Sequence, residues 1–264
     1  MLKIDNLTVT FNIGTPVENK VIRNLNLSIE EGQFVTVIGS NGAGKSTLLN
    51  LISGDVIANG GSISIDGLNV TQHNAWQRAP WVARVFQDPM AGTCENLTIE
   101  QNMALAYARG ESRGLRQSIN KKCRNIFKER LSRLGLGLEN RLNDRIGLLS
   151  GGQRQAISLL MASLKPSSIL LLDEHTAALD PKTEAFVLNL TQEIISENNL
   201  TVLMVTHNMR QALDFGNRTI MLHQGDIILD VSDAERNALD IPQLLQKFEQ
   251  TRGKQLADDA LLLG

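Results

Sequence analysis

The sequence predicts an α/β fold in which a mostly parallel sheet is covered by helices on both faces. Three observations predict it. A short apolar run at residues 34–38 ends in a glycine-rich turn that opens a helix. From residue 169 to 222, apolar strand-like runs alternate with helical stretches, the pattern of parallel strands joined by crossover helices. Between about residues 90 and 164 helical spacing takes over, which reads as an insertion between strands.

Each element has its own reason. Residues 2–11 and 21–30 alternate apolar and polar, as half-buried strands do. Asn12 to Lys20, with Gly14 and Pro16, is the turn between them. Phe34–Ile38 is a buried strand, Lys45–Ser53 a helix, and Ile63 and Ile65 mark an edge strand. Residues 99–134 are helical, broken at Gly110 and Gly114, and residues 151–164 form a second helical stretch. Ile169–Leu172, Leu200–Val205 and Thr219–Leu222 are strands; Pro181–Ser196 and Met209–Phe215 are helices, the former with proline at its start. In the tail, Ile241, Leu244, Leu245 and Phe248 recur at helical spacing behind Asp240, a capping residue, and predict a helix packed on the core. Gly253 separates it from a last segment, Leu256–Leu263. The expected division is residues 1–231 as one domain, holding the helical insertion at about 90–164, and 232–264 as a helical tail.

Composition narrows the function. The 264 residues carry a net charge of −2, so the chain as a whole is no polyanion binder. Cys94 and Cys123 fit no metal spacing and no disulfide framework, and are expected as buried or half-buried free thiols. Met1 to Leu7 lacks the charged and apolar regions of a secretory signal, and no apolar run approaches the ~18–20 residues of a membrane span.

Gly39, Ser40, Asn41, Gly42, Ala43, Gly44, Lys45 and Ser46 fit the phosphate-loop pattern G-x-x-x-x-G-K-[ST], between an expected strand and an expected helix. Glycines let the backbone wrap a phosphate, and its N–H groups converge on the anion at the positive end of the helix. Lys45 is expected to reach the β- and γ-phosphates and Ser46 to bind Mg²⁺, so ATP and Mg²⁺ are the expected ligands. Ile169–Leu172 is closed by Asp173 and Glu174. At a strand's carboxyl end, Asp173 can hold Mg²⁺ through water and Glu174 can act as general base on the attacking water.

Leu149, Ser150, Gly151, Gly152 and Gln153 resemble the signature motif of ABC (ATP-binding cassette) proteins. Small residues at a helix start expose N–H groups to a phosphate, although a plain helix capped by Ser150 gives the same wording. The resemblance covers roughly residues 1–228, with its motifs in order. It implies a P-loop NTPase core with a mostly parallel sheet, an N-terminal antiparallel β-subdomain and an inserted helical subdomain. It implies that Thr47 extends the nucleotide contacts and that Gln87, within residues 85–89, is the glutamine that touches Mg²⁺ and water and faces a membrane subunit. Asp180, closing residues 177–180, lies in a loop that crosses a dimer interface; His207 contacts the γ-phosphate, and Phe11 lies under adenine. A histidine after a strand is also a common capping group, and a phenylalanine at a strand end is as often core.

The resemblance further implies a homodimer with the signature acting in trans, integral membrane permease subunits, an extracytoplasmic substrate-binding protein and no nucleic acid. Such a chain sits peripherally at the cytoplasmic face of the cell membrane. The rival reading is a soluble ABC ATPase of an assembly or repair complex; a GTPase or kinase with the same phosphate loop is opposed by the signature. His175 stands where the family commonly has proline, and Ala156 and Met161 replace common arginines. Residues 173–181 resemble a bacterial importer branch linked to amino-acid uptake, aromatic ones included. Outside the family pattern, Arg113, Arg116, Lys121, Lys122, Arg124, Lys128, Arg130 and Arg133 crowd one stretch, opposed only by Glu129. This is a solvated face or one attracted to anionic lipid head groups.

Overall fold

The computed structural model describes residues 1–111 and 119–252, with the backbone alone at 234 and 247–252. Arg113, Gly114, Arg116, Gly253 and the segment Leu256–Leu263 lie outside the described residues, as does the Phe248 side chain. In chain order the elements are β1 (Leu2–Phe11), β2 (Asn19–Ile29), β3 (Phe34–Ile38), α1 (Lys45–Ser53), β4 (Gly60–Ile65), β5 (Leu68–Asn69), α2 (Ala75–Arg78), β6 (Val82–Val85), α3 (Ile99–Tyr107), α4 (Lys121–Ser132), α5 (Gly151–Ser163), β7 (Ile169–Asp173), α6 (Pro181–Asn198), β8 (Val202–Val205), α7 (Met209–Asp214), β9 (Arg218–His223), β10 (Asp226–Ser232), α8 (Asp233–Asn237) and α9 (Ile241–Arg252). Residues 1–78 with those from 200 onward form one compact unit, and residues 79–199 a second.

The first unit holds an antiparallel sheet in the order β2-β1-β4-β5. In β1 the buried residues are Leu2 and Ile4, then Leu7 and Val9, so the inward face changes parity midway. A strand can do this only by taking up an extra residue. The register slips between Ile4 and Leu7, where Asn6 adopts φ +48°. β2 answers with Asn24 at φ +49°, and Asn26 Oδ1 accepts a 2.8 Å hydrogen bond from the Asn6 N–H. Asparagine tolerates this left-handed backbone better than most residues. The strand read as an edge at Ile63 and Ile65 is β4, which has β1 on one side and the two-residue β5 on the other.

In the same unit β9, β3 and β8 run parallel, and β10 adds to β9 antiparallel. β10 was not expected. Gln224 and Gly225, both at positive φ, make the two-residue hairpin turn that produces it. Asp240 caps α9 through a reciprocal pair with Gln243, and Leu244 packs on Ile38, Met209, Ala212 and Met221. Arg78 is fully buried and donates to the carbonyls of Leu51, Ile52, Thr71 and His73, which ties α2 to the last turn of α1.

The second unit is helical around one parallel pair, β6 and β7, whose register runs from Val82 against Ile169 to Val85 against Leu172. Three of its helices start at textual caps visible in the sequence. Thr98 and Ser150 each form a reciprocal capping box with the glutamine three residues on, and Asp180 precedes Pro181. Two expectations are corrected here. The basic run is opposed by more than Glu129: Arg124 is paired with Glu100 and Arg133 with Glu197, acids too distant in sequence to be matched by eye. Cys94 is exposed, and only Cys123 is buried.

Candidate nucleotide site

β3 leads straight into the phosphate loop. A Cβ on Gly39 would lie 2.2 Å from the Leu222 carbonyl oxygen, so no side chain fits between the loop and β9. Gly44, at φ +103°, turns the chain into α1. The Lys45 ammonium is buried and donates to the Gly39 and Ser40 carbonyls at 2.6 and 3.2 Å, which holds the loop closed on itself. Ser46 is exposed and Thr47 half-buried at the first turn of α1. Gly225, which the motif reading missed, donates its N–H to the Ala43 carbonyl and accepts from the Arg23 N–H, so the β9–β10 turn braces the loop.

The β3–β8 register pairs Val37 with Val205, so Gly39 and His207 leave neighbouring strands at the same carboxyl edge. That edge is where parallel sheets bind ligands. His207 is exposed, and the turn beneath it is fixed by the Thr206 hydroxyl, which accepts from the Asn208 N–H at 3.1 Å. Phe11 ends β1 and is 36% exposed.

In the second unit, Gln87 and Glu174 also leave neighbouring strands side by side, since Val85 pairs with Leu172. Gln87 is exposed, and the preceding Phe86 carbonyl accepts from the Gln155 carboxamide of α5 at 3.2 Å. Glu174 sits at φ +41°, a strained conformation for a residue with a side chain. Next to it, His175 is fully buried against the Thr191 hydroxyl at 3.1 Å, and burial lowers its pKa to about 4. Asp173 is buried and its carboxylate is already in an ion pair, 2.6 Å from Arg84. Arg84 was not singled out from sequence; a lone arginine in a short apolar run carries no motif.

At the signature, Ser150 accepts from the Gln153 N–H at 3.3 Å and Gln153 from the Ser150 N–H at 3.2 Å, so α5 starts with its first turn ordered. Arg154 donates to the Gly147 and Leu149 carbonyls, fixing the segment before it. Gly151 is exposed. Gly152 has a second reason to be glycine: a Cβ there would lie 2.0 Å from Thr183 Cγ2, in the first turn of α6. Asp180 caps that turn, and the Thr183 hydroxyl and N–H hold its carboxyl below the usual range.

In the second unit Gln87 and Asp173 offer a carboxamide oxygen and a carboxylate, and in the first unit Ser46 offers a hydroxyl, each a hard oxygen donor of the kind Mg²⁺ takes. No group of three or more His, Cys, Asp or Glu comes together among the described residues. In donor chemistry, the Gln87 and Asp173 oxygens of the second unit fit the ion.

Comparison with known proteins extends the picture. A family model described as ABC transporter matches residues 22–177. A tyrosine transport ATP-binding protein of Clostridioides difficile strain R20291 is 46% identical over 249 residues, covering 94% of this chain and 99% of the relative. The thiamine import ATP-binding protein ThiQ of Photorhabdus laumondii subsp. laumondii is 36% identical over 230 residues, covering 87% and 90%. A solved dimeric ATP-binding cassette in a post-hydrolysis state, bound to ADP and Pi, is similar with a TM-score of 0.75 and 31% identity, over 88% of this chain and 98% of that one.

Proposed function

The chain belongs to the ABC transporter family as an ATP-binding, ATP-hydrolysing subunit that energises transport, and from that premise we propose that it powers uptake of an aromatic amino acid. One observation carries the cargo: the 46% identity, over 94% of the chain, to a relative named for tyrosine transport. The wording of residues 173–181 points to the same branch. Transport subunits of this family act with membrane permeases, and no helix among the described residues is long and apolar enough to cross a membrane. An extracytoplasmic substrate-binding protein and a position at the cytoplasmic face complete the reading.

In this reading ATP phosphates lie on the N–H groups of residues 39–47, and Lys45 exchanges its loop carbonyls for β- and γ-phosphate oxygens. Glu174 accepts the proton of the attacking water, while Gln87 and His207 hold water and γ-phosphate in line. Ser46, Gln87 and Asp173 would hold Mg²⁺, which would supply neutralisation of phosphate charge. Residues 149–153 of a second copy close over the γ-phosphate with helix-start N–H groups, and Asp180 crosses between the copies. Phe11 stacks on the base. Donors aimed at the developing charge supply most of the acceleration in such a site.

Glu174→Gln keeps the shape but removes the base, so hydrolysis should fall by ~10²–10⁴ while ATP still binds. An ATP-dependent dimer should then accumulate on size-exclusion chromatography; near-normal turnover would remove Glu174 from the role. For the cargo, cells lacking the chain are assayed for uptake of labelled tyrosine and thiamine. Tyrosine uptake that is unaffected by the deletion sinks the cargo assignment.

A further inference from the structure

β6 is a four-residue strand in which Val82, Ala83 and Val85 are buried and apolar, yet its third position is arginine. The Arg84 side chain is 10% exposed and the Asp173 side chain 12%, with the guanidinium 2.6 Å from the carboxylate. The guanidinium carbon also lies 4.6 Å from the centre of the Phe86 ring, one residue before Gln87. A buried ion pair is costly to desolvate and is poor evidence for added stability. An apolar residue would serve strand packing at this position. The pair therefore calls for another explanation, and the identity of its acidic partner supplies one.

We propose that Arg84 is the resident counter-cation of Asp173, a positioning residue that keeps divalent metal off the strand end until nucleotide phosphates arrive with it. The inference rests on the reading of Asp173 as a metal-holding carboxylate. The charge arithmetic is simple. Asp173 and the adjacent Glu174 together present two negative charges to an incoming cation, and Arg84 in contact with Asp173 cuts that to one. A bare divalent ion thus meets an Asp173 whose charge is already compensated and a nearby like charge. A metal ion that comes with a triphosphate brings compensating negative charge, and the guanidinium retains the face of Phe86 as a second partner. The result is ordered binding, in which metal enters with nucleotide rather than before it.

The sign of one measurement decides. The probe is Mn²⁺, titrated by electron paramagnetic resonance into the full-length, nucleotide-free chain. Arg84→Met removes the charge and keeps a side chain that packs on an aromatic ring. Arg84→Gln keeps a donor to Asp173, and covers the case in which the methionine variant does not fold. Either should bind Mn²⁺ about ten- to a hundredfold more tightly than wild type, the range over which neighbours of metal ligands act. Arg84→Lys keeps the charge and should bind as weakly as wild type. ATP affinity in EDTA should be unchanged in all three. If the uncharged variants bind Mn²⁺ as weakly as wild type or more weakly, Arg84 merely aims the carboxylate and the proposal is overturned. Asp173→Asn in the Arg84→Gln background separates the two layers: it should abolish the gain, and a gain that survives it means the metal binds elsewhere, which overturns the Asp173 reading as well.

Discussion

Gly152→Ala adds one methyl group where α5 begins, and the structure says what it meets. The new Cβ would lie 2.0 Å from Thr183 Cγ2, 3.4 Å from Thr183 Cβ and 3.6 Å from Thr183 Oγ1. Carbon atoms sit comfortably at about 3.5–4 Å, so the two helix starts must part by roughly 1.5 Å at that point. Thr183 is poorly placed to yield, because its N–H is bound to the Asp180 carboxylate at 3.2 Å. Overpacking of this kind costs about 1–3 kcal/mol, and replacing glycine by alanine in a helix returns about 0.5–1. The difference is a net loss of about 0–2.5 kcal/mol, and the 2.0 Å approach puts it in the upper half of that range. Thr183→Ser deletes only the clashing methyl, so the double variant should recover most of that loss, with a coupling of about 1–2 kcal/mol in a double-mutant cycle. The assay is urea denaturation of all four proteins followed by ATPase measurement. A single variant as stable as wild type, or a serine that rescues nothing, refutes the packing argument. Stability restored without activity would mean that Gly152 is also needed where N–H groups meet phosphate.

Phe11→Ala should weaken ATP and GTP binding alike, by ~1–3 kcal/mol by analogy with base stacking, with little change in melting temperature because the ring is already exposed. Unchanged affinity with a lower melting temperature would make it a core residue instead. His175 is held neutral by burial, with its pKa lowered from 6.5 to about 4. As pH falls, the unfolded chain takes up this proton near 6.5 and the folded chain only near 4, so stability present at pH 7 drains away across that window, by up to about 3 kcal/mol. Melting temperature against pH should lose this part of its slope in His175→Gln, and a slope that persists unchanged would show another group at work. Arg78→Met leaves several buried carbonyls without their donor and should cost about 3 kcal/mol by urea titration; a loss under 1 kcal/mol would mean those carbonyls find new partners.

The phosphate loop, the two acids at the carboxyl end of β7 and the signature were legible as motifs because each needs fixed residue types at fixed spacing, whatever the rest of the chain does. β3 and β7 were legible as apolar runs closed by a glycine turn or by acids. β6 was not, since four residues that include an arginine carry no period, and only pairing with β7 makes them a strand. β10 could have been found: Gly225 between two apolar runs is a hairpin signal, and the turn takes the positive φ values that signal encodes. Arg84 could not, because its meaning lies in a partner 89 residues away. The same holds for Gly152, whose crowding by Thr183 is a property of two helices and not of either one.

The paired kinks at Asn6 and Asn24 work like a half-twist in a ribbon. Ahead of the kink β1 turns its even-numbered residues inward, and beyond it the odd-numbered ones. Phe11 continues the odd series of Leu7 and Val9, so the side on which its ring emerges is decided five residues upstream. Residues could be gained or lost before Asn6 without altering that side. One residue gained or lost between Asn6 and Phe11 would turn the ring over. In β1 the side on which an aromatic ring is offered thus depends on a count of residues, and two asparagines fix where the counting begins.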